Sequence, residues 1–388
     1  MLEVAREGNR GMSGFDLLIR GARVLDPGQG LDLVTDIAVR NGKIFGIGNF
    51  SSATAARVID ATGLIASPGW VDLHVHVFNG AVVNAVDPDR DAGVARGVTT
   101  VVDAGSAGAL TWEQAREEVI KRATTRVLGY LNVSISRAED RPWHGDWQVF
   151  DQNKTIAMAE REAAAGYCVG IKVLSSQRHV GNLGIIPLKL ARQAARYSGM
   201  GLMVHLGVAP PVIEDVLNLL DEGDIVTHCW HGKGQGILGP DNKPLPETWA
   251  AVERGVRWDI GHGLSSFAFD TARHAMAAGL PLDSISTDLH GRNVNGPVYD
   301  MATTMAKFLH LGFSLPDVIR LSTVRPAQLI GRSHEFGTLR PDSCADITIF
   351  RVIDGDFTFT DANGESVKAR QHLEVHYTVR AGQVVKEP

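Results

Sequence analysis

Residues 65–76 read IASPGWVDLHVH, an apolar run that ends on two histidines separated by a single residue. Side chains alternate between the two faces of a β-strand, so His74 and His76 point to the same side if this run is extended. Two imidazoles a few ångströms apart at a strand end are suited to bind one metal ion. The run therefore predicts a buried strand that carries part of a metal site, and other segments have to supply the remaining ligands.

Seven more apolar runs follow, and helical segments separate them. The predicted strands are residues 71–76, 98–104, 127–134, 168–174, 202–206, 225–229, 256–261 and 284–288. Strands that alternate with helices pair in parallel through right-handed crossovers, and eight such units match a (β/α)8 or TIM barrel. A doubly wound open sheet is the alternative, but it usually has a glycine-rich nucleotide loop after its first strand. No such loop follows His76.

The two chain ends differ from this middle part. Short strand-like runs occur in residues 15–66 and 337–388, and Asn41-Gly42 is a two-residue hairpin signal between two of them. Neither end has enough apolar residues to build a core alone. We therefore expect both ends to pair into one small β-sandwich domain beside an α/β barrel of residues 67–336, with a flexible N-terminus at residues 1–14.

Composition limits the classes of protein that this chain can be. It has 388 residues, of which 44% are hydrophobic, and a net charge of −6. No cluster of Lys and Arg suggests nucleic acid or an anionic membrane as a partner, and no apolar run reaches the roughly 18 residues of a membrane helix. Three widely spaced cysteines favour a reducing compartment over a disulfide framework. These features favour a cytoplasmic protein. Apart from composition, we also expect a homo-oligomer that acts on a small, anionic molecule.

Residues that can bind a metal lie at the same end of most predicted strands. Because active sites of (β/α)8 barrels form at the carboxyl ends of the strands, these side chains are expected to converge. In strand order they are His74 and His76, Asp103, Asn132, Lys172, His205, His228, Asp259 or His262, and Asp288. Each one alone has a structural explanation, such as a buried hydrogen bond, a salt bridge or a helix cap. Together they predict a metal centre.

Lysine is an unusual member of such a set. A lysine buried beside two cations should lose its proton, because the cations repel an ammonium group. The neutral amine can add carbon dioxide, and the resulting carbamate has two oxygens that can bridge two metals about 3.5–4 Å apart. On this basis His74, His76 and Asp288 hold one divalent ion, His205 and His228 hold the other, and carboxylated Lys172 lies between them.

The chain resembles the amidohydrolase superfamily over about residues 15–385. The matching elements are residues 69–76 and 97–103, Lys172, His205, His228, Thr287-Asp288, Arg325-Pro326-Ala327, Gly337-Thr338-Leu339 and Ala345-Asp346-Ile347. The lysine on the fourth strand is similar to that of the binuclear branch, which includes dihydroorotases, hydantoinases and isoaspartyl dipeptidases. Residues 172–176 and 226–232 look most similar to an amidohydrolase/deacetylase group. That resemblance implies hydrolysis of acylated small acids, including O-acetyl esters of α-hydroxy acids such as mandelate.

The expected chemistry is hydrolysis of an ester or amide. Two divalent cations lower the pKa of a bridging water, so that hydroxide is available near neutral pH, and polarise the substrate carbonyl. Asp288 is the expected catalytic residue, since it can accept the proton of the attacking hydroxide and return it to the leaving group. Zinc is the expected metal for these nitrogen and oxygen ligands, although manganese and iron are compatible with them.

Substrate specificity is expected to lie in the loops after the strands. The candidate substrate-binding residues are Arg178, His231, His262, His290, Arg292 and Asn293, together with a pocket wall formed by Trp143, His144 and Trp147. An arginine suits a substrate carboxylate, because it can form a bidentate pair. The glycine-rich loop at residues 232–236 lacks the strand–loop–helix context of a phosphate site, and we interpret it as a mobile lid.

Three other functions fit parts of this pattern. A cyclic-amide hydrolase of the dihydroorotase or hydantoinase type would keep every metal ligand. A deaminase normally has a glutamate three residues after the histidine of the fifth strand, whereas Val208 occupies that position here. A non-catalytic scaffold would not need the complete set of ligands.

Overall fold

The structure is a computed structural model that describes residues 14–78, 85–136 and 147–388. Trp143, His144 and all of the predicted N-terminal segment except Gly14 lie outside these residues. The strands of the described chain are β1 (Phe15–Asp26), β2 (Leu31–Arg40), β3 (Lys43–Gly48), β4 (Ala55–Asp60), β5 (Ile65–Pro68), β6 (Trp70–Val75), β7 (Val98–Ala104), β8 (Arg126–Asn132), β9 (Cys168–Ser175), β10 (Gly201–Leu206), β11 (Ile225–Thr227), β12 (Arg257–Asp259), β13 (Ile347–Thr360), β14 (Ser366–Arg380) and β15 (Gln383–Lys386).

The helices lie mainly between the strands of the middle part. They are α1 (Trp112–Ala115), α2 (Gln152–Ala164), α3 (Gln177–Val180), α4 (Ile186–Ser198), α5 (Ile213–Asn218), α6 (Pro246–Glu253), α7 (Phe269–Ala277), α8 (Met301–His310), α9 (Leu315–Leu321) and α10 (Val324–Leu329). Short 3-10 or π turns occur at Val94–Arg96, Arg116–Ile120, Trp147–Val149 and Gly181–Leu183. Of the helices in the described ranges, none combines the length and apolar character that crossing a bilayer requires.

Strands β6 to β12 form a parallel sheet in simple chain order. This sheet curls until one segment, residues 284–289, contacts both of its edges. Ser284 bridges to Asp259 at the end of β12, and Leu289 bridges to Val75 at the end of β6. The backbone N–H of Ile260 donates to Ser284 O at 3.1 Å, and that of His76 donates to Leu289 O at 2.9 Å. The curled sheet is consistent with the predicted (β/α)8 barrel and excludes an open, doubly wound sheet.

The eighth barrel element differs from the expected strand. Residues 284–289 form isolated bridges and no continuous ladder, and Asp288 within them has a φ of 49°. A left-handed residue cannot continue an extended strand. The irregular backbone therefore places Asp288 at the point where the sheet closes.

The strands of the two chain ends form one eight-stranded sheet, ordered β15-β14-β13-β5-β1-β2-β3, with β4 paired to β1. Asn41 and Gly42 connect β2 to β3 with φ values of 52° and 72°, as the hairpin signal predicts. One apolar core joins Leu17 and Ile37 from the N-terminal part to Ile347 and Val379 from the C-terminal part. The pairing of the two ends is thus present, while the two-layered sandwich and the domain boundaries stay predictions.

The opening stretch connects the two sheets. Strand β5 pairs with β1 and β13 in the sheet of the chain ends, and β6 begins the curled sheet after Gly69. A Cβ atom at Gly69 would lie 2.1 Å from Thr99 Oγ1, so this position has no room for a side chain. Residues 65–76 therefore fix where the curled sheet starts and bring His74 to its carboxyl edge.

A buried ion-pair network fastens the C-terminal strands to the curled sheet. The carboxylate of Asp346 accepts hydrogen bonds from Arg126 Nη1 on β8 at 2.5 Å and from Arg380 Nη1 at 3.2 Å. Replacement of Asp346 by Ala is expected to lower the free energy of unfolding by about 3–5 kcal/mol, because it leaves a buried guanidinium without its partner. Urea denaturation checks this. The control Asp356→Ala breaks a surface pair with Arg370 and is expected to change stability by less than about 1 kcal/mol. Equal effects of the two substitutions would contradict this role of Asp346.

Candidate metal centre

Six predicted ligands line one cavity of about 430 Å³ at the carboxyl edge of the curled sheet. They are His74, His76, Lys172, His205, His228 and Asp288. His74, Lys172 and His205 belong to β6, β9 and β10. His76 and His228 directly follow β6 and β11, and Asp288 directly precedes the Leu289 bridge that closes the sheet. Parallel strands all present their carboxyl ends to this edge, which is why residues so far apart in sequence meet here.

His74, His76 and Asp288 form the tightest cluster. One ligand atom from each lies within 4.8 Å of the others. Asp288 Oδ1 is 3.1 Å from His76 Nε2 and 3.4 Å from His74 Nε2. The backbone N–H of Asp288 also donates to His74 O at 2.6 Å. Strand β6 and the closing segment therefore hold these three side chains in one fixed group.

His205 and His228 stand on the other side of His74. Their ring centroids are 4.5 Å apart, and the His228 ring is 5.0 Å from that of His74. His228 has a φ of 67°, so the chain leaves strand β11 at this residue. The backbone turn directs a histidine that follows the strand into the cavity, next to the strand residue His205.

Hydrogen bonds define which ring nitrogen of two histidines can bind a metal. His228 Nδ1 lies 2.7 Å from Gly261 O, and a carbonyl only accepts, so Nδ1 carries the proton. Thr227 Oγ1 donates its one hydrogen to Asp259 at 2.7 Å and must accept from His74 Nδ1 at 2.8 Å. In both rings Nε2 is consequently left with a free lone pair.

Thr227 is therefore a positioning residue behind His74. The substitution Thr227→Val keeps the shape of the side chain and removes the hydroxyl between His74 and Asp259. We expect metal affinity to fall about 10–100-fold, the usual effect of losing such an outer hydrogen bond. Competition with a fluorescent zinc chelator measures it. The control Thr271→Val removes a hydroxyl whose bond to His231 O lies outside this relay, and it should leave the affinity unchanged. Unchanged affinity in Thr227→Val would contradict the relay.

Lys172 is buried in the floor of the cavity with 1% of its surface exposed. Its Nζ lies 3.5 Å from His74 Nε2 and 3.4 Å from Met203 Sδ. No carboxylate of the described residues lies within 4.0 Å of it. Burial lowers the pKa of Lys172 to about 8, against the opposing effect of Asp288, Asp259 and Asp103. A buried amine without an ion pair is poorly explained as a structural salt bridge.

Electrostatics favour neutral imidazoles beside an ionised carboxylate. Burial lowers the pKa of His74, His205 and His228 well below the ordinary value. Burial opposes ionisation of Asp288, but its hydrogen bond with His76 and the nearby imidazoles lower the pKa of Asp288 overall. Neutral imidazole and ionised carboxylate are the forms that ligate metals.

The residues fit divalent metal ions. One cavity contains imidazoles with free Nε2 lone pairs, a carboxylate within 3.4 Å of two of the imidazoles, and a lysine amine without an ion pair to a described residue. Such nitrogen and oxygen donors suit zinc. The grouping of His74, His76 and Asp288 supports a site for one cation directly.

The predicted substrate-binding residues separate into two sets. Arg178, His290 and Arg292 line the cavity. Asn293 lies behind it, where Nδ2 donates to Asp288 O at 2.8 Å and Oδ1 accepts from His290 N at 2.8 Å. Asn293 thus holds the segment that carries Asp288 and His290.

His231 and His262 are not among the described residues that line the cavity. His231 is buried, and its Nδ1 accepts from the backbone N–H of Lys233 at 3.2 Å. His262 Nε2 lies 2.7 Å from Lys307 Nζ, and its ring centroid is 4.8 Å from that of Phe267. Both rings are part of the packing outside the cavity. Trp147 is 56% exposed.

The cavity also contains residues that the list of predicted ligands and substrate-binding residues omits. Ser176 Oγ lies 2.9 Å from His179 Nδ1 and 3.4 Å from His205 Nε2. Lys233 and Ser266 line the same cavity. The available signal for Lys233 was its place in the glycine-rich loop, five residues after His228.

The sequence is similar to a known protein family and to a curated relative. A family model described as the amidohydrolase family matches residues 259–385. A deacetylase of Agrobacterium fabrum is 36% identical over 356 residues, which cover 90% of this chain and 86% of the relative.

Solved structures agree with this relationship. One described as an adenine deaminase has a TM-score of 0.90 at 35% identity and covers 96% of this chain and 100% of its own. Another, described as a dihydroorotase, has a TM-score of 0.86 at 35% identity and covers 96% of this chain and 97% of its own. The three relatives thus carry three different activities in their names at nearly the same identity. The names of these relatives therefore do not identify one substrate for this chain.

Proposed function

Because the chain belongs to the amidohydrolase superfamily, we propose that it is a binuclear metallohydrolase that removes an acyl group from a small carboxylate-bearing substrate. The bond is an ester or amide, as in an O-acetyl α-hydroxy acid or an N-acyl amino acid. The observation that carries this proposal is the convergence of His74, His76, Lys172, His205, His228 and Asp288 in one cavity. The name of the Agrobacterium fabrum relative supports deacetylation.

We assign the metal ligands as the cluster suggests. His74, His76 and Asp288 would hold one divalent ion, and His205 and His228 would hold the second. Lys172, converted by carbon dioxide to a carbamate, would lie between them. When bound, two such ions supply a Lewis acid for the substrate carbonyl and lower the pKa of a water. Zinc is the metal we expect.

Asp288 is the residue that we propose to move the proton. Its carboxylate is ionised and faces the cavity, where it can accept a proton as water attacks the carbonyl and deliver it to the leaving oxygen or nitrogen. The Asn293 amide and the backbone hydrogen bond to His74 fix the position of Asp288. A fixed carboxylate can act on both the attacking water and the leaving group without rearrangement of the backbone.

Hydrolysis of a cyclic amide is the second candidate. It is favoured by the solved structure described as a dihydroorotase, which is 35% identical to this chain. The same ligands would act on a ring amide, so the metal centre does not distinguish the two reactions. The walls of the cavity, and hence the substrate, make the difference.

A substrate panel tests the proposal. Metal-replete protein is assayed with O-acetyl-lactate, O-acetyl-mandelate, N-acetyl-alanine and N-acetyl-phenylalanine of both hands, beside dihydroorotate, hydantoin and adenine. We expect at least one acylated acid to be hydrolysed with kcat/KM of about 10⁴ M⁻¹s⁻¹ or more. The variant Asp288→Asn, purified identically, controls for contaminating hydrolases. Turnover restricted to the cyclic amides or to adenine would replace our proposal by that activity, and turnover of none would contradict it.

A further inference from the structure

Lys233 occupies an unusual position in the wall of the cavity. It lies in the glycine-rich loop after β11, between Gly232 and Gly234, and its side chain is partly buried. Its Nζ donates to Ser266 Oγ at 3.3 Å. An ammonium group has three donors, and among the described residues no carboxylate forms an ion pair with Lys233. The loop therefore holds a partly desolvated cation with donor capacity left over.

The described residues that line the cavity with Lys233 include more basic than acidic side chains. Arg178 and Arg292 line the same cavity, and Asp288 is the one carboxylate of its described lining. Asp288 already faces His74 and His76. Burial and the positive charge of Arg178 lower the pKa of Lys233, against the opposing effect of Asp288. A bound anion would relieve both effects, because it supplies a further negative charge and an acceptor for the remaining Nζ–H donors.

The position of Lys233 also limits where that anion can lie. Lys233 lines the same cavity as Asp288 and as His205 and His228, the two histidines predicted to hold the second cation. Ser266, which accepts its hydrogen bond, follows β12 and lines the cavity as well. An anionic group bound to Lys233 therefore lies in the cavity that the predicted metal ligands also line. This suits a carboxylate carried by the same carbon as the acylated oxygen or nitrogen.

We propose that Lys233 binds the substrate carboxylate and so restricts the enzyme to acylated α-hydroxy or α-amino acids. The inference rests on the proposed function, of which it names the specificity-determining residue. Arg178 and Arg292 line the same cavity. Lys233 binds through one Nζ–H donor beside Ser266, and the acyl carbonyl then points toward His205, His228 and Asp288.

Steady-state kinetics with matched substrates test this role. The substrates are the panel acid that wild type hydrolyses fastest and the primary carboxamide of the same acid. Lys233→Met is expected to raise KM for the acid about 10–100-fold, the usual effect of losing a charge-assisted hydrogen bond. Its kcat should change less than about threefold, and KM for the carboxamide should stay within about threefold, because the carboxamide carries no charge to lose.

Two further variants keep the result interpretable. Lys233→Gln retains the length of the chain without the charge and should show the same rise for the acid alone. Lys243→Met removes an exposed lysine of the same connecting segment, which pairs with Asp241, and should leave both KM values unchanged. Melting temperature and metal content of each variant report its folding.

The outcomes separate this inference from the proposed function. Wild type that hydrolyses no acylated acid contradicts the proposed function itself. Wild type that is active but binds the carboxamide as tightly as the acid overturns the role of Lys233. Equal changes in KM for acid and carboxamide would overturn it too. A rise in KM for the acid alone in Arg178→Met, absent from both Lys233 variants, would also overturn the role of Lys233. The substrate carboxylate would then lie at Arg178.

Discussion

Replacement of Lys172 by alanine is expected to lower kcat/KM by about 10³-fold or more, equivalent to about 4 kcal/mol of transition-state stabilisation. The buried amine of Lys172 lies 3.5 Å from His74 Nε2 and has no ion pair with a described residue. If its carbamate bridges two cations, alanine removes an anionic ligand that both of them share. At least one cation should then be bound more weakly, with a loss of Lewis acidity at the substrate carbonyl.

Chemical rescue distinguishes a lost ligand from a damaged fold. Formate, acetate or propionate can enter the space left by the lysine and supply carboxylate oxygens, so each should restore part of the activity of Lys172→Ala. Sodium chloride at equal ionic strength serves as the control for salt. Lys189→Ala, which removes an exposed lysine on α4, serves as the control for lysine removal. Near-normal activity of Lys172→Ala, or failure of every carboxylate to restore a variant that still binds metal, would contradict the bridging role.

Asp288→Asn should lower kcat by about 10²–10⁴-fold, the range typical for loss of a general acid–base group. The amide keeps an oxygen that can face His74 and His76, but it cannot accept a proton. Asparagine also tolerates the left-handed backbone that Asp288 adopts with a φ of 49°. The substitution should therefore impair proton transfer more than folding or metal binding.

Measuring metal content and turnover on the same preparation tests this expectation. Asp288→Asn should retain most of its metal while kcat collapses. Asp270→Asn changes an exposed carboxylate on α7 and should leave both quantities unchanged. Near-normal turnover in Asp288→Asn would show that another group moves the proton. If metal and activity are lost in the same proportion, Asp288 acts as a metal ligand and its role in proton transfer is contradicted.

Strand periodicity explains why much of the site was predictable from sequence. The alternation in residues 71–76 placed His74 and His76 on one side, and both line the cavity. Parallel strands share a carboxyl edge, so Lys172 and His205 were expected there without knowledge of any contact. A regular strand backbone fixes the direction of each side chain, and the predictions for these four residues depended on that regularity.

The loops were less predictable because their backbones do not repeat. His231 and His262 lie close in sequence to strand ends, yet both pack outside the cavity. Asn293 was expected to contact substrate and instead supports Asp288. The closing segment was expected as a strand, but the positive φ of Asp288 interrupts it. Such turns depend on contacts between distant segments, which local residue preferences do not contain.

The metal content of the purified protein shows whether the cavity binds two cations. Protein purified after zinc-replete growth, or reconstituted with zinc and carbonate and freed of loose ions, is analysed by inductively coupled plasma mass spectrometry. Lys172→Ala is measured beside it. Our account predicts about two divalent ions per wild-type chain and fewer in the variant, as a bridging carbamate requires. One ion or fewer per wild-type chain, or equal contents in the two proteins, would contradict it.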